Sequence, residues 1–342
     1  MKLYDKNGYV NIPKILSYGL PFNFVVGGRG TGKTYGALKY LLEEKIKFML
    51  MRRTQTQIDM VNKKDFSPFK SVCRDMGTEI VSVPITKNNA AFYYADANGK
   101  ASGDCLGFSC ALSTISNMRG FDASDAMILV YDEFIPEKHE RPLKNEATAF
   151  ANAYETINRN RELKGEKPLT ALCLANANDL ANPLFVEFGL VKIAEKMQAT
   201  NQEIYVDRKK GVGLFFTQES PVSKNKSDTA LYRFTENSDF SGMSLNNEFT
   251  ADKPSRIGSR PLAEYRPIVC IGELCIYRHK SKQEYYATTH KSGTCPTFDT
   301  SKSDIARFKK SFGWLWMVYI KNNIVFEEYL CEIYLTKFLA ML

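Results

Sequence analysis

The sequence has 342 residues, of which 44% are hydrophobic, 25% are charged and 12% are aromatic, and its formal net charge is +8. These values exclude a disordered, collagen-like or low-complexity chain, and the length predicts two domains. The positive charge agrees with an anionic partner such as nucleic acid, although many enzymes share it.

Short apolar runs alternate with helical stretches over residues 1–200. Strands are predicted at 22–26, 48–51, 92–95, 108–112, 127–131 and 169–175, and helices at 34–44, 57–75 and 146–158. Such alternation is typical of a parallel α/β sheet. We therefore expect residues 1–200 to form one α/β domain.

The pattern changes after about residue 200. Residues 201–227 contain glycines and a Ser220-Pro221 break, which favour a linker or small subdomain over sheet. Residues 267–277 and 283–289 are predicted to form paired strands, and 303–342 to be helical. A smaller α+β domain is therefore predicted over residues 228–342.

The eight cysteines include no CxxC pair, so a zinc ribbon or thioredoxin-like site is not expected, and we predict them to be reduced and mostly buried. Residues 1–11 contain no apolar signal core. The longest apolar run, residues 314–320, is far too short to span a membrane. These observations predict a cytosolic protein.

A phosphate-binding motif follows the first predicted strand. Its residues fit G-x-x-x-x-G-K-[ST] and read Gly27-Gly28-Arg29-Gly30-Thr31-Gly32-Lys33-Thr34. In this motif the backbone N–H groups face phosphate oxygens, and the following helix adds the positive end of its dipole. Lys33 is expected to reach the β- and γ-phosphates, and Thr34 to supply a hydroxyl to Mg²⁺.

A pair of carboxylates, Asp132 and Glu133, follows the buried strand predicted at 127–131. Asp132 is expected to hold the Mg²⁺ shell. Glu133 is predicted to be the base that polarises a water for attack on the γ-phosphate, which indicates a hydrolase rather than a kinase. An acidic pair after a strand is also a common helix start, but the P-loop favours the catalytic interpretation.

Two further polar positions are candidates with open alternatives. Asn176, at the end of the next strand, is expected to sense the γ-phosphate or orient the water, and the alternative is a simple turn former. Arg159, in Asn158-Arg159-Asn160-Arg161-Glu162, is a candidate arginine finger acting across a subunit boundary. From the residues alone, a solvated charge cluster is the favoured interpretation of that stretch.

The chain resembles the genome-packaging ATPases, or encapsidation proteins, of phi-29-like podoviruses over about residues 20–250. The motifs that carry the resemblance occur in the family's order: the P-loop, Met51-Arg52-Arg53, Asp132-Glu133-Phe134, 158–162, Leu174-Ala175-Asn176-Ala177, Asn182-Pro183-Leu184-Phe185 and Gly242-Met243-Ser244-Leu245. The resemblance implies a terminase-like motor of the additional-strand (ASCE) P-loop class. Such a motor hydrolyses ATP with Mg²⁺ as a homomeric, pentameric ring at the portal of a procapsid.

The resemblance also implies partners and residue roles. The partners are double-stranded DNA and the portal, in the host cytoplasm, and a structural packaging RNA is left open. Arg159 becomes the trans-acting finger, Arg29 a residue that contacts phosphate or couples to a neighbour, and Arg53 a residue near the nucleotide base. For the C-terminal domain, the resemblance implies an RNase H-like nuclease fold. We expect this nuclease to be vestigial, because its expected first strand, 268–271, has no Asp. Glu273 and Glu284 make no convincing metal cluster.

Basic loop residues are candidates for gripping DNA phosphates without reading sequence: Lys63, Lys64, Lys87 and Arg119. Each of them, taken singly, is more commonly solvated surface. Three other functions stay open from sequence: a ring helicase or translocase outside a capsid, a terminase with an active nuclease domain, and a nucleotide-gated adaptor. An intact Glu133 argues against the adaptor.

Overall fold

The computed structural model describes residues 3–118, 122–137, 143–217, 226–236 and 257–342, together with 140, 220, 222, 238, 241 and 244. The chain divides into two compact units, one of Met1–Phe188 with Ile193–Thr250 and one of Gly189–Lys192 with Ala251–Leu342. The change of unit near residue 250 lies later than the predicted linker at 201–227.

The first unit contains nine strands and, among the described residues, eight helices that lie in it wholly or mostly. The strands are β1 (Phe22–Gly27), β2 (Phe48–Arg52), β3 (Ile80–Pro84), β4 (Ala90–Ala95), β5 (Ala101–Ala111), β6 (Ile128–Asp132), β7 (Thr170–Asn176), β8 (Ile204–Asp207) and β9 (Val212–Thr217). The helices are α1 (Ile12–Leu16), α2 (Lys33–Glu43), α3 (Gln55–Val61), α4 (Phe69–Met76), α5 (Glu146–Asn158), α6 (Pro183–Glu187), α7 (Val191–Ala199) and α8 (Ala230–Phe234).

The nine strands form one sheet in the order β3-β4-β5-β2-β6-β7-β1-β9-β8. The six strands from β5 to β9 in that order are parallel, whereas β3, β4 and β8 are antiparallel to their neighbours. The predicted parallel sheet is therefore the centre of a mixed sheet. One strand, β7, lies between β1 and β6, as expected for the additional-strand class.

Residues 204–217 differ from the predicted linker, because they form β8 and β9 and β9 pairs with β1 along its whole length. All six residues of β9 are buried. The turn that separates the two strands contains Gly211 at a φ of +66°, a conformation that favours glycine. Gly211 therefore belongs to a hairpin turn and Gly213 lies within β9, so neither glycine marks a linker.

Local signals set several element ends. Thr54 and Gln57 form a reciprocal capping box at the start of α3, and the predicted helix at 57–75 is divided into α3, a 3-10 turn at Lys64–Phe66 and α4. Asn182 caps α6 by accepting a hydrogen bond from the Phe185 N–H at 3.1 Å, with Pro183 at the first helical position. The Asn-Pro-Leu-Phe motif therefore starts a helix.

The described residues of the second unit form a five-stranded sheet in the order β13-β10-β11-β12-β14 and three α-helices. The strands are β10 (Tyr265–Ile271), β11 (Leu274–His279), β12 (Tyr285–Thr288), β13 (Thr297–Phe298) and β14 (Ile324–Phe326), and the helices are α9 (Lys302–Phe312), α10 (Leu315–Ile320) and α11 (Tyr329–Leu339). Strands β10 to β12 form an antiparallel meander, as the predicted paired strands required. The predicted helical end is interrupted by β14. The RNase H-like assignment stays a prediction.

The cysteine prediction is wrong for one pair. Cys270 and Cys275 lie opposite each other in β10 and β11 and form a disulfide. Their spacing shows no motif in the sequence, because only the hairpin turn at Gly272 and Glu273 brings them together. Of the other cysteines, Cys73, Cys110, Cys173 and Cys331 are buried. Within the part of the chain that the structure describes, no helix has the length and apolar character needed to span a membrane.

Candidate nucleotide-binding site

The P-loop joins the carboxyl end of β1 to the start of α2. Gly30 and Gly32 have φ values of +69° and +78°, in the left-handed region that glycine adopts at no steric cost. A Cβ at Gly32 would also lie 2.7 Å from the ring of Tyr9. The glycines therefore allow a tight turn, which leaves the backbone N–H groups at the start of α2 facing the loop.

Lys33 folds back over the loop. Its Nζ donates to the carbonyls of Gly27 at 3.0 Å and Gly28 at 2.7 Å, and to Asn176 Oδ1 at 3.2 Å. Burial lowers the pKa of Lys33 to about 7, with Asp132 opposing that effect. Asn176 thus meets the P-loop lysine at the same sheet edge, where the sequence predicted a γ-phosphate sensor.

Thr34 and Asp132, the two predicted magnesium ligands, are in direct contact. Thr34 Oγ1 lies 2.9 and 3.0 Å from the two carboxylate oxygens of Asp132. Burial raises the pKa of Asp132, and the neighbouring Arg52 lowers it. A hydroxyl and a carboxylate side by side are hard oxygen donors of the kind that Mg²⁺ takes from P-loop proteins, with water and phosphate filling its other positions.

Glu133 follows Asp132 in a left-handed conformation with a φ of +59°. Residues other than glycine adopt such a conformation rarely, and it is enriched at functional sites. Half of the Glu133 side chain is exposed, and its carboxylate is ion-paired with Arg52, whose guanidinium also binds Asp132 at 2.7 Å. Arg52 therefore holds both acidic residues from the end of the adjacent strand β2.

Arg52 is the principal residue that sequence reasoning missed. It appeared there only within the motif Met51-Arg52-Arg53. The sequence did contain a signal: Arg52 ends one predicted strand, and Asp132 and Glu133 follow another. The carboxyl ends of parallel strands that are neighbours lie side by side, so such residues can form ion pairs. The sequence alone does not say that β2 and β6 are neighbours.

Arg53, predicted to lie near the nucleotide base, has a buried side chain. Its side chain is 1% exposed and is bound by Glu146 at 2.7 Å and by Glu140 at 2.9 Å. Tyr131 OH donates to the same Glu146 carboxylate at 3.1 Å, and burial raises the pKa of Tyr131 well above its usual range. Arg53 therefore belongs to a buried network, and we assign it no nucleotide contact.

Arg29, in the middle of the P-loop, forms an ion pair with Glu137. Both side chains are partly exposed, and Glu137 lies in the segment that follows the acidic pair. The alternatives of phosphate contact or coupling to a neighbour stay predictions for Arg29. In this structure it links the loop to the segment that follows β6.

Arg159 lies away from its own P-loop. It follows α5 with a φ of +47°, and its guanidinium is 3.6 Å from Asp122, which precedes β6. The neighbouring Asn158 Oδ1 accepts from the N–H of Leu169, just before β7 begins, whereas Asn176 ends that strand at the P-loop. Seven strand residues separate these two edges, a span of about 20 Å.

The second arginine of that stretch has a structural role. Arg161 is 3% exposed, and its Nη2 donates to the carbonyls of Ser124 and Ala126 at 2.6 Å each. Arg159, in contrast, keeps about two-fifths of its side chain exposed. Arg159 is therefore the one of the two with a guanidinium accessible at the surface.

Of the predicted DNA-gripping residues, Lys63 and Lys87 lie in loops and Lys64 begins the 3-10 turn. Lys63, Lys64 and Lys87 are exposed, and Lys64 is ion-paired with Glu79. Arg119 lies outside the described residues, as do Gly242, Met243 and Leu245 of the resemblance. Ser244 of that motif is fully buried.

The chain is similar to known proteins over most of its length. The family model of the podovirus DNA encapsidation protein (Gp16) matches residues 4–266. The chain belongs to this family. The DNA packaging protein of Bacillus phage phi29 is 28% identical over 261 residues, 75% of this chain and 70% of that protein. The DNA packaging protein of Bacillus phage B103 is 28% identical over 255 residues, 72% of this chain and 70% of that protein.

Two solved structures share the fold over nearly the whole chain. The bacteriophage phi-29 viral genome packaging motor assembly has a TM-score of 0.67 at 21% identity, over 97% of this chain and 99% of that chain. The Phi-28 gp11 DNA packaging motor has a TM-score of 0.62 at 19% identity, over 98% and 99%. The family resemblance predicted from the motifs is confirmed, and the chain is a DNA-packaging motor protein. A helicase acting outside a capsid is not favoured.

Proposed function

We propose that this chain is a P-loop ATPase that assembles as a homomeric, pentameric ring at the portal of a procapsid in the host cytoplasm and drives double-stranded DNA inward. The observation that carries the proposal is the convergence of Lys33, Thr34, Asp132 and Glu133 at one sheet edge. These are the groups that ATP hydrolysis needs for phosphate, metal and water.

Thr34 and Asp132 would hold the magnesium ion that accompanies ATP. The ion would supply positive charge that offsets the negative charge developing on the phosphates during transfer. The backbone N–H groups of residues 28–33 would bind phosphate oxygens, and Lys33 would exchange its two backbone carbonyls for the β- and γ-phosphates. Asn176, already bound to Lys33, is positioned to respond to the γ-phosphate.

Glu133 would act as the general base. Its carboxylate takes a proton from water as the water oxygen bonds to the γ-phosphorus and the bond from that phosphorus to the β–γ bridging oxygen breaks, giving ADP and phosphate. The ion pair with Arg52 must open or shift first, because a carboxylate oxygen bound to a guanidinium is not available to a water. Arg52 would thus keep hydrolysis slow until the site is complete.

An open cavity of about 640 Å³ adjoins the P-loop and is proposed to take the nucleoside end of ATP. It lies between the chain before α1 and helices α2 and α4, and Tyr9, Gly32, Tyr35 and Lys39 line it. The Tyr9 ring is 41% exposed and therefore offers an aromatic face for stacking. The resemblance implies Arg53 near the base, whereas this proposal places the base in the cavity lined by Tyr9.

The arginine finger is proposed to be Arg159 acting in trans. Its position at the opposite sheet edge argues against action on its own nucleotide, and its exposure suits contact with a neighbouring subunit. An arginine finger stabilises the charge of the transition state by a factor of about 10³ to 10⁵. The ring is therefore part of the proposed active site.

DNA contact is proposed for exposed loop cations such as Lys63 and Lys87, which grip phosphates irrespective of sequence. The second unit is proposed to be the vestigial nuclease-like part that binds nucleic acid or the portal. A structural packaging RNA stays an open partner.

A DNA-stimulated ATPase assay on the full chain, with and without purified procapsids, tests the proposal through Glu133→Gln. We expect this variant to bind ATP as the wild type does, to lose at least about 100-fold in turnover, as removal of a general base does, and to remain on DNA. Glu44→Gln, exposed just after the end of α2 and outside the cavity lining, is the matched control and should hydrolyse ATP normally. Normal turnover by Glu133→Gln would remove the proposed base.

A further inference from the structure

The chain that follows β9 returns to the P-loop. Thr217, the last residue of β9, is in register with Gly27 at the end of β1. Ser220 is buried, and its Oγ donates to the carbonyl of Gly8 at 2.8 Å. Lys226 then donates from Nζ to the carbonyl of Arg29, in the middle of the P-loop, at 2.7 Å. A lysine 197 positions away in sequence therefore lies on the loop.

The P-loop leaves room for this ammonium at one glycine. A Cβ added to Gly30 would lie 2.0 Å from Lys226 Nζ, so the lysine occupies the space that a side chain there would need. Among the residues that the structure describes, no carboxylate lies within ion-pair distance of Lys226. Its charge is therefore directed at a neutral backbone carbonyl.

Three cations thus converge on a loop of eight residues: Arg29, Lys33 and Lys226. Burial is the largest cause of the lowered pKa of Lys33, and Lys226 and Arg29 lower that pKa further by repulsion. Burial also lowers the pKa of Lys226 itself. Desolvation and mutual repulsion both oppose this arrangement, and a bound polyanion relieves both costs.

We propose that Lys226 is a second phosphate-binding lysine, whose ammonium leaves the Arg29 carbonyl and donates to the terminal phosphate of bound ATP. This proposal rests on the proposed function of the site. The middle of the P-loop, where Lys226 lies, is beside Lys33, the residue that reaches the β- and γ-phosphates.

The position of Lys226 in the chain gives this contact a consequence. The residue precedes α8 in the stretch of sequence that leads from the sheet of the first unit to the second unit. ATP and ADP differ at the phosphate that Lys226 would bind. The loss of that phosphate would therefore release Lys226, and α8 that follows it, from the nucleotide.

Nucleotide affinity of the full chain with Mg²⁺ tests the contact. Lys226→Met keeps the length of the side chain and removes its charge, and Lys209→Met, exposed in the turn between β8 and β9, is the matched control. We expect Lys226→Met to weaken a non-hydrolysable ATP analogue about tenfold, the loss of one charge-assisted hydrogen bond, and to leave ADP affinity nearly unchanged. Lys226→Arg should restore part of the difference.

The outcomes separate the two proposals. If Lys226→Met binds both nucleotides as the wild type does, or loses equally for both, the contact with the terminal phosphate is wrong. If the wild type binds neither nucleotide, the proposed function itself fails. Amine labelling of the wild type gives a test that needs no variant: the ATP analogue should protect Lys226 relative to Lys209, and ADP should not. Equal labelling with and without the analogue would overturn the contact.

Discussion

Lys33 is buried among backbone carbonyls and Asn176, and this burial lowers its pKa to about 7, against about 10.4 in an unfolded chain. The folded chain therefore binds this proton less tightly than the unfolded chain. Below pH 7 the Lys33 ammonium is charged in both the folded and the unfolded chain, and its burial lowers the free energy of unfolding. This destabilising effect declines as the pH rises from 7 toward 10.4. With a pKa of about 7, a small change in the surroundings of Lys33 decides whether its ammonium keeps the proton.

Phosphates should reverse this shift, so ATP binding above pH 7 should take up a proton. We expect the affinity for a non-hydrolysable ATP analogue to fall as the pH rises from 7.5 to 9, with a slope approaching about tenfold per unit. Isothermal titration calorimetry in buffers of different ionisation enthalpy measures both the affinity and the proton uptake. Lys33→Met should bind weakly and with little pH dependence, and a wild-type affinity that is constant over this range would contradict the prediction.

The sequence predicted the P-loop residues and the acidic pair because each belongs to a motif with a fixed spacing. It did not predict which cations would bind the acids. Arg52 and Arg53 are consecutive residues whose side chains point to opposite sides at the end of β2, so Arg52 meets Asp132 and Glu133 while Arg53 meets Glu146. That choice depends on which strands are neighbours, which is a property of the fold.

Helix α5 connects the two edges of the sheet. Its first residue, Glu146, binds Arg53 at the end of β2, on the edge that carries the P-loop. Near its other end, Tyr154 OH donates to the carbonyl of Leu169 at 2.7 Å, just before β7 begins. The helix that precedes Arg159 is therefore anchored at both ends to strands of the same sheet.

The buried pair of Arg53 and Glu146 should be one of the main anchors of α5. Arg53→Met leaves Glu146 buried without its cation, and removing one partner of such a pair typically costs about 3 to 5 kcal/mol. We expect a clearly lower thermal midpoint for the first unit, measured by calorimetry on the full chain. Arg74→Met, at an exposed pair with Asp75, should change the midpoint little. A midpoint for Arg53→Met equal to that of the control would argue against this anchor.

Element predictions succeeded where burial was uniform and failed where a turn resembled a boundary. Strands β1, β2, β6 and β7 consist mainly of buried apolar residues, and each was predicted within two residues. The turn at 208–211 is basic and contains glycine, a composition that predicts a linker, whereas the residues on either side of it form the hairpin of β8 and β9. Composition does not distinguish a hairpin turn from a linker, since both are exposed and polar; the difference lies in whether the flanking strands find partners.

At the scale of the whole molecule, one chain supplies every proposed group of the hydrolytic site except the finger. Arg159 and the P-loop belong to opposite edges of the same sheet, about 20 Å apart along β7. In a closed ring, a surface on one subunit meets a different surface on the next, so two distant positions of one chain can meet between neighbours. The sequence could not show this separation, because Arg159 and Asn176 are close along the chain.

Mixing two inactive variants tests whether the site is shared. Lys33→Ala subunits keep Arg159 but should not bind ATP productively, and Arg159→Ala subunits bind ATP but lack the finger, whose loss costs about 10³-fold or more in turnover. In mixed rings on procapsids, an Arg159→Ala subunit supplies the intact P-loop and its Lys33→Ala neighbour supplies the finger, so the site between them is complete. ATPase activity should therefore rise well above that of either variant alone and be highest near equal proportions. The matched control mixes Arg159→Ala with the double variant Lys33→Ala/Arg159→Ala, in which no subunit carries the finger, and it should stay inactive. Mixed rings that stay inactive at every ratio, although both variants assemble, would exclude Arg159 as a finger acting between subunits.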